Sequence, residues 1–101
     1  MLRVITMRLK DLAVIRTDFA GADFWVSRRG SIYTVGQPSR VFSPYHVGIK
    51  VEQTNILLPD YLYYMFLHWY QLGQWRSMAY GSLSLVHLRV EDVRNIELVM
   101  Q

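Results

Sequence analysis

The sequence predicts an α+β fold, a small, curved, mainly antiparallel sheet with one long helix packed on it. Three observations predict it. Short runs of β-branched and aromatic residues recur through the first half, punctuated by Gly, Pro, Asp and Asn. One sustained helical pattern follows Pro59, with Leu62, Met65, Phe66, Trp69 and Leu72 recurring on one face. The chain then returns to alternation at Ile96, Leu98 and Met100, as a closing strand does. At 101 residues it is expected to form one compact domain spanning 1–101, since two separate cores would need more chain.

Taken in order, residues 2–15 form the first unit. Val4, Ile5, Leu9, Leu12, Val14 and Ile15 supply its apolar positions, as a strand, a turn at residues 9–12 and a second strand. Residues 16–22 read as a loop around Asp18 and Gly21. Phe24, Val26, Ile32 and Val35 are strand formers on either side of a hairpin-like Ser27-Arg28-Arg29-Gly30. Residues 37–40 read as a turn, and residues 41–51 as a strand whose Val47, Ile49 and Val51 alternate with Gly48 and Lys50.

Pro59 suits a first helical turn, and Asp60 complements the helix dipole there. The helix is expected to end near Leu72, with Gly73 breaking it and residues 74–79 continuing as a second helical piece. Gly81-Ser82 reads as a turn, followed by apolar Leu83, Leu85, Val86 and Leu88, a short helical turn or extended connection at residues 90–93, and the final strand. The expected core comprises Leu12, Val14, Val26, Ile32, Val47, Ile49, Leu62, Phe66, Trp69, Leu88, Val93 and Ile96.

Composition excludes several classes. There is no cysteine, so disulfides and thiolate zinc sites are absent, which favours a cytoplasmic location. No apolar run approaches the ~20 residues of a membrane span, and residues 1–7 are too short for a signal peptide. The formal charge of +3 permits nucleic-acid binding and argues against a carboxylate-rich mimic of DNA. His46, His68 and His87 match no metal-ligand spacing, and no nucleophile-elbow or phosphate-loop pattern occurs. The reading therefore assigns no catalytic residue, no metal and no cofactor, and takes the protein not to be an enzyme.

Candidate sites are basic or aromatic. Arg28 and Arg29 beside Gly30 could grip phosphates with their guanidinium forks, and they fit an ordinary solvated hairpin tip equally well. Gly81 and Ser82 offer backbone N–H groups and a hydroxyl, or a plain connection from helix to strand. Ser31, Tyr33, Arg40, Tyr45 and Lys50 add donors if their loops share that side. The aromatics around the helix exceed what one face can bury. Tyr63, Tyr64, Tyr70 and Trp75 fit either a partner surface or burial under neighbouring strands. A two-fold homodimer through Tyr63, Tyr64 and Tyr70 is the simplest use of that surplus.

Several of these stretches, in this order, resemble the target recognition domain of the DNA specificity subunits of type I restriction-modification systems. The matching residues are Leu9-Lys10-Asp11-Leu12 with Val14-Ile15; Val26-Ser27-Arg28-Arg29-Gly30-Ser31-Ile32; Pro59-Asp60-Tyr61-Leu62 opening a long helix; and Gly81, Ser82, His87, Leu88, Arg89, Asp92, Val93 and Ile96. Two departures stand out. The final strand lacks the family's proline, its place taken by Glu97 or Val99, and residues 16–22 replace a much longer variable insert.

The resemblance implies a compact, truncated relative that binds double-stranded DNA mainly through phosphates, with limited sequence specificity because little chain remains to enter a groove. It also implies subunits of a restriction-modification or other defence complex as partners. A second reading is an interaction protein from a phage or mobile element that inhibits such a complex. Clustered basic side chains near the Gly81 turn favour the first, and an exposed aromatic patch favours the second.

Overall fold

The computed structural model describes residues 5–82 and 85–100. The readings of Val4 and Leu83 as apolar strand positions lie outside the described residues. The architecture is α+β, with the strands divided among three small antiparallel sheets in place of one curved sheet. The strands are β1 (Ile5–Arg8), β2 (Ala13–Arg16), β3 (Phe24–Val26), β4 (Arg29–Gly30), β5 (Pro38–Ser39), β6 (Val47–Val51), β7 (Tyr80–Ser82), β8 (Leu85–His87) and β9 (Glu97–Met100). The helices are α1 (Pro59–Gln71) and α2 (Val90–Arg94). β1 pairs with β9; β2, β6, β3 and β5 form the second sheet in that order; and β4, β8 and β7 form the third.

The second sheet is the floor of the core. Its central strand β6 buries Val47, Ile49 and Val51 and exposes Lys50, the alternation that its sequence predicts. Gly48 is buried as well. A Cβ there would lie 2.8 Å from Phe19 Cβ and 3.0 Å from Ala22 Cβ, so the missing side chain lets the 17–22 loop close over the strand. Helix α1 lies against this sheet through Phe24, whose ring meets Phe66 at 5.4 Å and Tyr63 at 5.5 Å, both edge-on. Pro59 opens the helix after an extended Leu58, and Gly73 closes it in the left-handed region at φ 72°. A short 3-10 turn over Gln74–Ser77 follows.

The expected hairpin at residues 27–30 does not form. β3 instead pairs with β5, so Pro38 and Ser39 belong to a strand and not to a turn. The pairing continues through Ser27, whose N–H donates to Gln37 O at 2.9 Å and whose carbonyl accepts from Gly36 N–H at 2.8 Å. Residues 28–35 leave the sheet as an excursion that carries β4 to β8. Its return is a turn, not the strand expected for Ile32 and Val35. Ser31 N–H donates to Thr34 Oγ1 at 3.0 Å, and Val35 N–H to Ser31 O at 3.0 Å. These local bonds, one of them to the Thr34 side chain, offer the backbone an alternative to a ladder. Residues 41–46 likewise form turns, and regular pairing begins only at Val47.

Of the expected core, Leu12, Val26, Val47, Ile49, Leu62, Phe66, Leu88 and Val93 are fully buried. Val14, Ile32, Trp69 and Ile96 are half-buried. Leu72, on the expected core face of the helix, is 60% exposed. The core also takes Leu9, Phe24, Trp25, Val35, Leu57, Val86 and Leu98.

Candidate nucleic-acid interface

The third sheet gathers three of the candidate residues, Arg29, Gly81 and Ser82, with Arg28 just before β4. The register sets Arg29 opposite His87, and His87 opposite Tyr80, in one row across β4, β8 and β7. The next row is Gly30, Val86 and Gly81, and Ser82 pairs with Leu85. Side chains alternate along β8. Val86 and Leu88 turn inward and are buried, while Leu85 is 78% exposed and Arg89, two residues beyond His87, is exposed. One face of this ribbon therefore closes the core, and the other presents Arg29, His87, Tyr80 and Arg89 outward. A shallow concavity of about 330 Å³ lies beside it, lined by Arg28, Arg29, Gly30, Leu85, Val86 and His87.

The two arginines of the motif differ in environment. Arg28 is half-buried, and its Nε donates to Leu88 O at 3.0 Å while Leu88 N–H donates to Arg28 O at 2.8 Å. Arg28 therefore stitches β4 to the end of β8. Arg29 is exposed on the outer face. Arg89 lays its guanidinium over the Tyr80 ring at 4.2 Å, donates to the Tyr80 hydroxyl, and donates from Nε to Asp92 Oδ2 at 3.1 Å. The hydrogen bond to the Asp92 carboxylate raises the Arg89 pKa, and the cation keeps its charge at any physiological pH.

Gly81 has φ 117°, and a Cβ there would lie 2.2 Å from Leu85 O. Only glycine allows β7 to approach β8 this closely. The expected Gly-Ser turn is thus part of a strand, and its backbone lies beside the basic row. Ser82 is in β7, and its hydroxyl lies outside the described side chains.

The remaining basic candidates lie elsewhere. Arg40, just past β5, pairs with Asp60 at 3.1 Å and sits 4.0 Å over the Tyr63 ring. Lys50 projects from β6 and lies 3.7 Å from Asp23. Ser31 is engaged with Thr34, and Tyr33 is 68% exposed with the Arg76 guanidinium 5.1 Å from its ring centroid.

The aromatic surface is redistributed too. Trp75, expected at a partner interface, is 3% exposed. It stacks on Phe66 at 5.3 Å and meets Trp69 edge-on at 6.4 Å. The left-handed bend at Gly73 turns the following 3-10 segment back under the helix, which is why Trp75 faces inward. Tyr63 and Tyr70 are half-buried, and the Tyr70 hydroxyl donates to Tyr33 O at 2.9 Å. Tyr64 remains 62% exposed.

Tyr80, His87 and Arg89 were absent from the candidate residues read from the sequence. The signal was present as the period of two in Leu85-Val86-His87-Leu88-Arg89, which sorts basic from apolar side chains. Among the described residues, no three His, Cys, Asp or Glu side chains are grouped to hold a metal ion. Nor, among them, is any helix long and apolar enough to cross a membrane.

No family model and no curated protein matches the sequence. Among solved structures, the crystal structure of the S subunit of a type I restriction-modification system from M. genitalium is similar. The likeness has a TM-score of 0.68 and covers 97% of this chain at 9% identity. It shows a shared fold. The chain spans 34% of the length of that S subunit.

Proposed function

We propose that this chain is a DNA-contacting module of the target-recognition type, which grips duplex DNA chiefly through phosphates at the outer face of the β4–β8–β7 ribbon. The observation that carries this reading is the row Arg29–His87–Tyr80, extended by Arg89 on the same face. Guanidinium forks match phosphate oxygens, and such contacts position a protein on a duplex without reading bases. β7 is an edge strand, so of the Gly81 and Ser82 backbone N–H groups the one turned away from β8 adds a donor beside them. Likeness to an S subunit supports the same reading at the level of fold. The short 17–22 loop lies folded over Gly48, which leaves little chain to enter a groove. Base discrimination is therefore weak.

The test is a fluorescence-anisotropy titration with two duplexes of unrelated sequence at low and moderate salt. Binding to both, weakening with salt, is the expected result. No binding at low salt would exclude the reading and favour an interaction protein acting on a defence complex.

A further inference from the structure

Helix α1 carries a second apolar stripe beside its core face. Leu58, Tyr61 and Leu72 are 64%, 62% and 60% exposed, and Met65 and Trp69 between them are half-buried. Leu58, Tyr61, Met65 and Trp69 of the stripe, with Ile56 and Val99, border a groove of about 710 Å³ between the helix and β9. On a helix turning 100° per residue, all four other members fall within about 40° of Met65.

The spacing is symmetric about Met65. Leu58 and Leu72 stand equally far before and after it, as do Tyr61 and Trp69. We infer that a second copy of this chain covers the stripe, its α1 antiparallel to the first about a two-fold axis at Met65. That arrangement sets Leu58 against the other copy's Leu72, Tyr61 against Trp69, and Met65 against itself. A two-fold interface must be complementary to itself, and this spacing meets that condition.

Charge agrees with this occupant. The only acid in α1 is Asp60, about 140° around the helix from Met65 and paired there with Arg40. Glu97, at the groove's rim, stands opposite Arg8 in its own sheet. Two copies therefore meet without apposing like charges on the stripe. The exposed parts of Ile56, Leu58, Tyr61, Leu72 and Val99 amount to roughly 550 Å² per copy, so a pair that covered them fully would bury on the order of 1,100 Å², the size of a weak, reversible interface. The face through Tyr63, Tyr64 and Tyr70 fits a dimer less well, because Tyr63 packs on Phe24 beneath Arg40 and Tyr70 is bonded to Tyr33.

Sedimentation equilibrium of the native protein, from micromolar to near-millimolar concentration and without DNA, tests this separately from the DNA reading. A monomer–dimer equilibrium is expected. Leu58→Glu should weaken it at least about tenfold, and so should Leu72→Lys; both sites are mostly exposed, so the fold survives. The double variant should recover dimerisation, because the antiparallel register brings each glutamate to the other copy's lysine. The chain has no cysteine, so Met65→Cys should oxidise to a single cross-linked dimer. A native protein that stays monomeric throughout overturns the inference and leaves the stripe to a partner of different sequence. So does a Leu58→Glu variant that dimerises as well as the native chain. Failure of the double variant to recover overturns the antiparallel register.

Discussion

The backbone of Gly36 lies so close to the indole of Trp75 that a Cβ on Gly36 would fall 2.1 Å from Trp75 Cδ1. Gly36 also has φ 88°, a conformation that L side chains rarely adopt. Gly36→Ala therefore meets steric overlap and backbone strain together. We expect it to cost about 2–4 kcal/mol in urea unfolding, in the range of overpacked or strained core sites. Gly21→Ala is the control, since its Cβ would meet only Phe19 Cε1 at 3.8 Å. It should change stability by less than about 0.5 kcal/mol. Equal effects of the two would show that Trp75 is not pinned by Gly36.

Phe66 is fully buried and touches Phe24, Trp69 and Trp75. It joins the helix to the floor sheet and to the 3-10 turn, so little can collapse into the space that its removal leaves. Phe66→Ala should cost about 3–5 kcal/mol. A measured loss below about 1 kcal/mol would place the ring outside the cooperative core.

Much of this packing was legible in the residue order, and the exceptions share a cause. The helix was bounded by Pro59 and Gly73, whose backbone preferences act locally, and both bounds hold. β6 was legible because its apolar residues alternate. For Trp75 the residue order leaves a partner surface and burial both open, because the left-handed Gly73 resets the direction of everything after it, and the structure buries the ring. The excursion at residues 28–35 departs from the expected hairpin because its partner strand lies far along the chain, at residues 85–87. A hairpin is the local solution for Ser27-Arg28-Arg29-Gly30, and distant pairing displaced it. For the same reason the sequence placed Arg28 and Arg29 together as equals, whereas only Arg29 faces outward.

Asp23 joins two neighbouring strands from the side. Its Oδ2 accepts the Val51 N–H at 2.8 Å, and Oδ1 lies 3.7 Å from Lys50 Nζ. Asp23→Ala leaves a partly buried backbone donor unpaired, for an expected loss of about 1–2 kcal/mol. Lys50→Ala removes only an exposed ion pair and should cost less than about 0.5 kcal/mol. Because Lys50 stands on a different sheet from Arg29 and Arg89, its loss should leave the salt dependence of DNA binding as it was. A flatter dependence in Lys50→Ala would extend the contact surface to the floor sheet.

Arg28, Arg29 and Arg89 give the sharpest separation of structure from binding. Arg29 and Arg89 lie on the outer face of the ribbon, where each can meet one phosphate. Replacing Arg29 with alanine should weaken binding to any duplex and flatten the slope of log K against log salt by about 0.9. The Arg29→Ala, Arg89→Ala double variant should flatten it by about two such steps, similarly on unrelated sequences. Arg28→Ala should act differently, because Arg28 Nε is bonded to Leu88 O. Its main effect should be a loss of about 1 kcal/mol in stability, with a salt slope close to that of the native protein. If Arg28→Ala flattened the slope while Arg29→Ala did not, the DNA would not lie across the outer face of the ribbon. If either outer-face variant lost binding to one duplex and kept it on another, that arginine would be reading bases.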